Sequence, residues 1–173
     1  MGVNINETKL KDMLFNGLPV KKWINNDVIV WIKELFLYNN GDTCADVTGG
    51  WVANSYGYKG TDSNNAKVTV TYNATDMLIE GAYGARGSLF TAKKIDMTPY
   101  NTLTVSYAKS GVNYAGQVVV TPECKDQYAV GAKAHLNTNG QDAVLDVSGL
   151  TGEYYVAFSV YYGNLRVYSA LLS

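Results

Sequence analysis

One histidine, His135, serves a chain of 173 residues. Acid–base chemistry at neutral pH would therefore fall on it or on carboxylates. His135 stands in YAVGAKAHLNTNG, near the end of a strand-like run, and no neighbour marks it as a general base. A surface or structural role is expected for it. No serine sits in a GxSxG elbow, and neither a phosphate-binding loop nor an HExxH helix occurs. Glycoside hydrolysis needs two carboxyl groups held roughly 5–10 Å apart. The glutamates are Glu7, Glu34, Glu80, Glu123 and Glu153. Glu80, in the run MLIEG and close in sequence to Tyr83 and Arg86, is the best-placed acid, and Asp96 and Asp146 lie near strand ends. Spacing brings no two of these together, so solvated carboxylates or pairs with Lys and Arg are expected. Asp62-Ser63-Asn64-Asn65 offers oxygen ligands but lacks the EF-hand spacing, and reads as a polar loop. Cys44 and Cys124 have no CxxC spacing and no histidine nearby, which argues against zinc. No export signal precedes them, so two free thiols are expected. The chain is expected to be non-enzymatic, with no catalytic residue, metal or cofactor.

Binding is a different matter, because the chain holds 14 tyrosines. Four of them stand in glycine-rich stretches: Tyr56 and Tyr58 in NSYGYKG, Tyr83 in EGAYGARG, and Tyr114 in GVNYAGQ. Aromatic faces stack on the C–H surfaces of sugars, and Arg86 and Gln117 lie close in sequence to two of these tyrosines, ready to satisfy hydroxyls. Glycine beside them allows close approach and unusual backbone angles. Tyrosine also suits wet protein–protein interfaces. These residues are read as an assembly surface, a glycan surface, or ordinary edge packing of a sandwich.

Bulk composition narrows the partners. Fourteen basic residues against 15 acidic ones leave a net charge of −1. No Lys/Arg block provides the electrostatic footprint of a nucleic-acid binder. No apolar run approaches the roughly 20 residues that span a bilayer as a helix. The opening MGVNINETKLKD has no apolar signal core, and Asn6 spoils a myristoylation match. Synthesis and retention in the cytoplasm until assembly or lysis are expected.

The elements that would carry these residues are strands. Tyr, Val and Thr favour strands, and Gly and Asn favour the turns between them. The run NGLPVKKWINNDVIVWIKE (16–34) reads as a hairpin, with strands at Val20–Ile24 and Val28–Lys33 and a turn at Asn25-Asn26-Asp27. Residues 4–14 are open to an arm, a strand or a helical turn. From Leu35 onward short strand candidates recur between turn signals, the first being LFLY (35–38), which ends at the turn Asn39-Asn40-Gly41-Asp42. KVTVTY (67–72) alternates, with Val68, Val70 and Tyr72 on one side, and TLTVSYA (102–108) sends Leu103, Val105 and Tyr107 inward. MLIEG (77–81) and SLFTAKKI (88–95) read as separate strands, followed by GQVVVT, YAVGAKAHL and AVLDV. EYYVAFSVYY (153–162) and LRVYSALLS (165–173) read as a closing hairpin around Gly163-Asn164. In the first of these, Tyr154, Val156, Phe158, Val160 and Tyr162 make the core face. The other face, Tyr155, Ala157, Ser159 and Tyr161, is too smooth and aromatic for open solvent. It should lie under a loop, a neighbour or a ligand. Trp51, at a strand start after Gly49-Gly50, is expected in the core.

Asn16-Gly17-Leu18-Pro19-Val20 followed by Asn25-Asn26-Asp27-Val28-Ile29-Val30-Trp31 resembles segments common in structural proteins of phages infecting Gram-positive bacteria. The second Asn-Gly of that pattern is replaced here by Asn26-Asp27. LDVSGLTGEYYVAFSVYYGNLRVYSALL (145–172) looks like the closing strands of carbohydrate-binding-like jelly rolls in phage tail and virion proteins. The resemblance implies a virion component.

These readings combine into an all-β protein. An N-terminal arm and β-hairpin (1–34) would precede a jelly-roll-like antiparallel β-sandwich (35–173). The hairpin would dock through Trp23, Trp31, Val20, Val28 and Val30 onto the chain's own sandwich, another copy, or another virion protein. The expected function is a non-enzymatic virion structural protein, homo-oligomeric in the particle, as capsid decoration or a tail or fibre part. The alternative is a carbohydrate-binding module recognising host wall or surface glycan, with Tyr56, Tyr58, Tyr83, Arg86 and Tyr114 as its surface. An accessory domain of a hydrolase is a third reading, disfavoured by an apparently natural start at Met1 and end at Ser173.

Overall fold

The computed structural model describes residues 14–15, 18–25, 28–54, 68–110, 116–123, 132–136 and 141–173; for 14–33, 82–86, 161–162, 54, 133 and 135 it describes the backbone alone. The first three strands are β1 (Leu14–Phe15), β2 (Leu18–Asn25) and β3 (Val28–Lys33), and they form a three-stranded sheet in that order. The pair Phe15↔Leu18 leaves only Asn16-Gly17 between β1 and β2, and Asn25↔Val28 leaves only Asn26-Asp27 between β2 and β3. The expected hairpin is there, and the ambiguous stretch before it ends by adding a strand. Pro19 pairs with Leu14 near the start of β2.

The rest of the described chain folds around a ten-stranded antiparallel sheet. Its members are β4 (Leu35–Asn39), β5 (Trp51–Asn54), β6 (Thr69–Tyr72), β7 (Met77–Thr91), β8 (Ile95–Asp96), β9 (Thr102–Ser110), β10 (Gln117–Thr121), β11 (Ala132–His135), β12 (Ala143–Asp146) and β13 (Glu153–Leu172). One helical turn, α1 (Ala45–Thr48), interrupts them and is closed by Gly49 at φ 71°. The turn after β4 is the expected one, with Asn40 at φ 45° and Gly41 at φ 94°.

Two strands are far longer than their sequence suggested. β7 has 15 residues and unites the run read as a strand at 77–81 with the first half of the run read as another at 88–95, whose last residue, Ile95, starts β8. β13 has 20 residues and passes straight through Gly163-Asn164, so the expected closing hairpin does not form. Gly163 takes φ 136°, which only glycine adopts readily. It bends the strand instead of reversing it. Gly163 is the register partner of Gly81, and Tyr162 alone stands opposite the stretch from Ala82 to Ala85 of β7. Both strands therefore change direction at the same level, as glycine and bulges allow inside a sheet.

That shared bend makes two halves of one sheet. In the first, the order is β11-β10-β13-β7-β5, using Tyr155 to Tyr161 of β13 and Arg86 to Phe90 of β7. In the second, β13 from Gly163 onward lies between β9 on one side and β7 and β4 on the other, with β12 outside β9 and β6 outside β7. Val118, Val120, Val156, Phe158 and Leu89 from the first half share one buried cluster with Leu103, Val105, Leu165, Val167 and Met77 from the second. The halves thus enclose a common core, and the fold is a jelly-roll-like antiparallel sandwich. Each buried Leu, Val or Phe contributes roughly 1.5–3 kcal/mol by leaving water.

Leu103, Val105 and Tyr107 are buried as their alternation requires, as are Val156, Phe158 and Val160. Val68 is buried too, but Tyr72, expected on the same inner side, is 46% exposed at the end of β6. Trp51 packs against the core and stacks on Phe158 with ring centroids 5.3 Å apart. Its indole N–H donates to the Thr43 carbonyl at 3.2 Å. The C-terminus is tied in: the Ser173 N–H donates to the Thr102 carbonyl at 2.9 Å, and the two hydroxyls meet at 2.7 Å.

Substituting Gly163→Ala forces a Cβ onto the left-handed backbone of the bend and should cost about 1–3 kcal/mol in chemical denaturation. Gly149→Ala, where a new Cβ meets nothing within 4 Å, should stay within about 0.5 kcal/mol of the parent. A second expectation concerns alkali. Burial, with Asp96 adding repulsion, pushes the Tyr100 phenol up to about 12. Folding then favours the protonated phenol. Its contribution is complete below the ordinary tyrosine value near 10 and is lost as pH rises through about 12. Tyr100→Phe should flatten the decline of stability with pH across that window, measured by urea denaturation at stepped pH.

Candidate functional site

The side of the first half facing away from the core is where the sheet departs from an ordinary sandwich. Outer faces of such sheets are normally polar and wet. β10 instead reads Val118-Val119-Val120, an unbroken apolar run, which is the pattern of a strand covered on both sides. Val118 and Val120 enter the main core, and Val119 belongs to a second cluster with Phe90 and Ala157.

Register builds this second face row by row. One row runs Lys133, Val119, Ala157, Phe90, Val52 across β11, β10, β13, β7 and β5, apolar from Val119 to Val52. The next row is polar: His135, Gln117, Ser159, Ser88, Asn54. On one flank Thr121 pairs with Tyr155, and on the other Tyr161 pairs with Arg86. The centre is closed to solvent: Phe90, Val119, Ala157, Ser88, Ser159 and Thr121 are all buried. The strip reaches the surface at its margins. Val52 on the β5 side is 51% exposed, and Tyr155 is partly buried with the Lys94 ammonium 5.5 Å from its ring centroid. That distance is within cation–π range.

Of the second face foreseen on the 153–162 run, Ala157 and Ser159 are covered as expected and Tyr155 partly so, while the side chain of Tyr161 lies outside the described residues. The sequence reading missed Ser88, Phe90, Val119 and Val52 as its companions. The triple valine of β10 was the available signal for Val119. Phe90 could be assigned only once register placed it beside Ala157. Of the tyrosines singled out, Tyr56, Tyr58 and Tyr114 lie outside the described residues, as does the Asp62–Asn65 run. Tyr83 is not in a loop: it lies within β7, at the bend. Glycines on both sides made that stretch look like a turn, whereas in a strand they permit a bulge. Arg86 sits in β7 at the register position facing Tyr161. Trp23, Trp31, Val20, Val28 and Val30 lie in the separate N-terminal sheet and not in this face.

The strip contains no carboxylate at any of these register positions. Asp96 and Asp146 are engaged elsewhere in their own turns: the Thr98 N–H donates to Asp96 at 3.0 Å, and the Ser148 N–H and hydroxyl donate to Asp146 at 2.9 and 2.6 Å. The Ser148 bonds hold the Asp146 carboxyl below its ordinary value. Glu80 belongs to the other half, opposite Asn164. Among the described residues no group of three His, Cys, Asp or Glu side chains could hold a metal ion.

No protein family and no curated protein matches the chain in sequence. Solved structures do share its fold. A variant of a family 29 carbohydrate-binding module superposes with a TM-score of 0.51 at 10% identity, over 82% of this chain and 92% of that one. The K2 cleaved adhesin domain of Lys-gingipain gives 0.50 at 11% identity, over 81% and 99%. The enzymatically active domain of bacteriophage CBA120 tailspike protein 4 gives 0.48 at 14% identity, over 80% of this chain and 21% of that one. At these identities the likeness is one of fold alone. It bears out the jelly-roll-like half of the resemblance read in the sequence, and lends no weight to the virion half.

Cys44 is a free thiol, as expected, and Cys124 lies outside the described residues. Burial, with Asp42 adding repulsion, pushes the Cys44 pKa up to about 11, so the thiolate is scarce at neutral pH. Alkylation of Cys44 by iodoacetamide, followed by peptide mass mapping, should be far slower at pH 8 than for an unfolded control. It should accelerate only as pH approaches about 11.

Proposed function

We propose that the chain is a non-catalytic glycan-binding module whose ligand lies along the margin of the second face. The observation that carries this reading is the margin of the strip, where an aliphatic side chain, Val52, and an aromatic one, Tyr155, emerge from a closed apolar centre. Such a margin offers apolar surface to the C–H face of a sugar ring. Tyr155 and Val52 bring the strip to the surface, and Lys94 stands beside Tyr155. The Lys94 ammonium beside Tyr155 suits a neutral or acidic saccharide. The fold shared with a carbohydrate-binding module supports the reading at the level of architecture.

A second reading is a docking role in a phage particle, with the chain located in the virion. Its support is the N-terminal sheet, which shares no strand with the sandwich and so is available as an attachment element.

A glycan array followed by calorimetry tests the first reading. Saturable binding is expected, weakened tenfold or more by Tyr155→Ala and by at least one of Tyr56→Ala, Tyr58→Ala and Tyr83→Ala. Phe36→Ala, on β4 in the other half, should leave it unchanged. A blank array, or binding indifferent to all four tyrosines, would make the strip a second small core and leave the docking role as the better account.

A further inference from the structure

The second face does not end at Tyr155. Ile95 pairs with Tyr154 and Asp96 with Glu153, so β8 lies along the start of β13. Ile95 is buried, and Tyr154 packs against the main core. Neighbours of an inward residue in a strand belong to the opposite face. Lys94, Asp96, Glu153 and Tyr155 therefore share the second face, and the Lys94 ammonium lies over the Tyr155 ring accordingly. Lys94, Asp96 and Glu153 are exposed.

The backbone under these groups is fixed. The Ala92 N–H donates to the Gly50 carbonyl and the Lys93 N–H to the Thr48 carbonyl, each at 2.8 Å, which anchors the approach to Lys94. Asp96 accepts the Thr98 N–H at 3.0 Å, and the Met97 N–H donates to the Gly152 carbonyl at 2.9 Å, just before β13. One feature of this margin works against stability. Asp96 and Glu153 are like charges directly opposite each other, a pairing that weakens a sheet. Lys94 stands diagonal to Glu153 and two residues from Asp96, within reach of both for so long a side chain. One ammonium serves two carboxylates, and the three groups leave one negative charge.

A sugar hydroxyl both donates and accepts a hydrogen bond. An ammonium beside a carboxylate satisfies it fully, since the first donates to its oxygen and the second accepts its proton. An acidic saccharide meets two anions here for one cation.

We propose that this margin selects an uncharged saccharide, with Lys94, Glu153 and Asp96 as its specificity-determining residues. The Tyr155 ring takes the C–H face of the sugar. Lys94, on a flexible stem, moves from the ring to donate to one hydroxyl. Glu153 and Asp96 accept from its neighbours and turn away uronates, sialates and phosphorylated glycans. The inference rests on the glycan reading above and narrows it from a neutral or acidic ligand to a neutral one.

Calorimetry of the full chain at low salt tests it. The neutral probes are cellohexaose, xylohexaose, mannohexaose and galactohexaose, and the acidic ones are the hexamers of galacturonate, mannuronate and guluronate. At least one neutral probe should bind, and every acidic one should bind about tenfold or more weaker, with the gap closing as salt rises. Glu153→Gln should strengthen binding of the acidic probes by about threefold or more, and Lys94→Ala should weaken the neutral ones by a similar factor, both with unchanged circular dichroism. Acidic probes that bind as tightly as neutral ones would overturn the inference while leaving the glycan reading in place. So would a Glu153→Gln chain with unaltered discrimination. A Lys94→Ala chain that is less stable but binds neutral sugars like the parent would reduce Lys94 to a partner of the two acids and overturn it as well. Silence from both sets of probes would overturn the glycan reading and this inference together.

Discussion

The fold depends on two long strands bending together. Gly163, at a backbone angle closed to most side chains, stands opposite Gly81, and β13 and β7 turn there without separating. A straight pair of that length would carry a flat, two-sided sheet with its apolar face in water. The bend brings the apolar sides of both halves against each other, so that Val118, Phe158 and Leu89 meet Leu103, Val167 and Met77 in one cluster. Continuous strands also keep their backbone hydrogen bonds through the corner, apart from the bulge, where a loop would have to satisfy them elsewhere. β4, β6, β9 and β12 are then laid onto a frame that the two strands define.

The same frame explains the second face. β13 and β7 lie at the middle of the first half, flanked by β10 and β5. Their outward residues are therefore the most enclosed positions on that side. Ala157, Ser159, Ser88 and Phe90 are buried there, while Val52, on the edge strand, is half in water. Enclosure falls off toward the edge strands, and also toward the start of β13, where Tyr155 is only partly buried and Lys94 stands beside its ring. The apolar and polar rows are consequences of period-two alternation along five strands held in register.

Local signals were legible wherever alternation and turn chemistry agreed. Leu103, Val105 and Tyr107 read as inward from spacing alone, and so did Val156, Phe158 and Val160. Asn40-Gly41 read as a turn and is one. The reading failed where a single signal has two physical outcomes. Gly163-Asn164 has the composition of a two-residue hairpin turn, yet glycine in a left-handed conformation serves a bend equally well. Nothing local to the dipeptide decides between them. The choice was made at a distance, by β9 and β7 offering Leu165 two partners at once, Lys109 and Ile79. EGAYGARG was misread for the same reason. The second face was half legible: Tyr155, Ala157 and Ser159 looked wrong for solvent, but Phe90 and Ser88 join them only through register, which a linear sequence does not contain.

The account stands on β13 running through Gly163 as one strand, and a nuclear Overhauser spectrum of the labelled chain measures that directly. Cross-strand contacts should link Leu165 to both Lys109 and Ile79, and Val160 to Gly87. A hairpin at Gly163-Asn164 would instead place Tyr162 against Leu165 and Val160 against Val167. Contacts of that second kind would contradict the folded sheet and every surface derived from it.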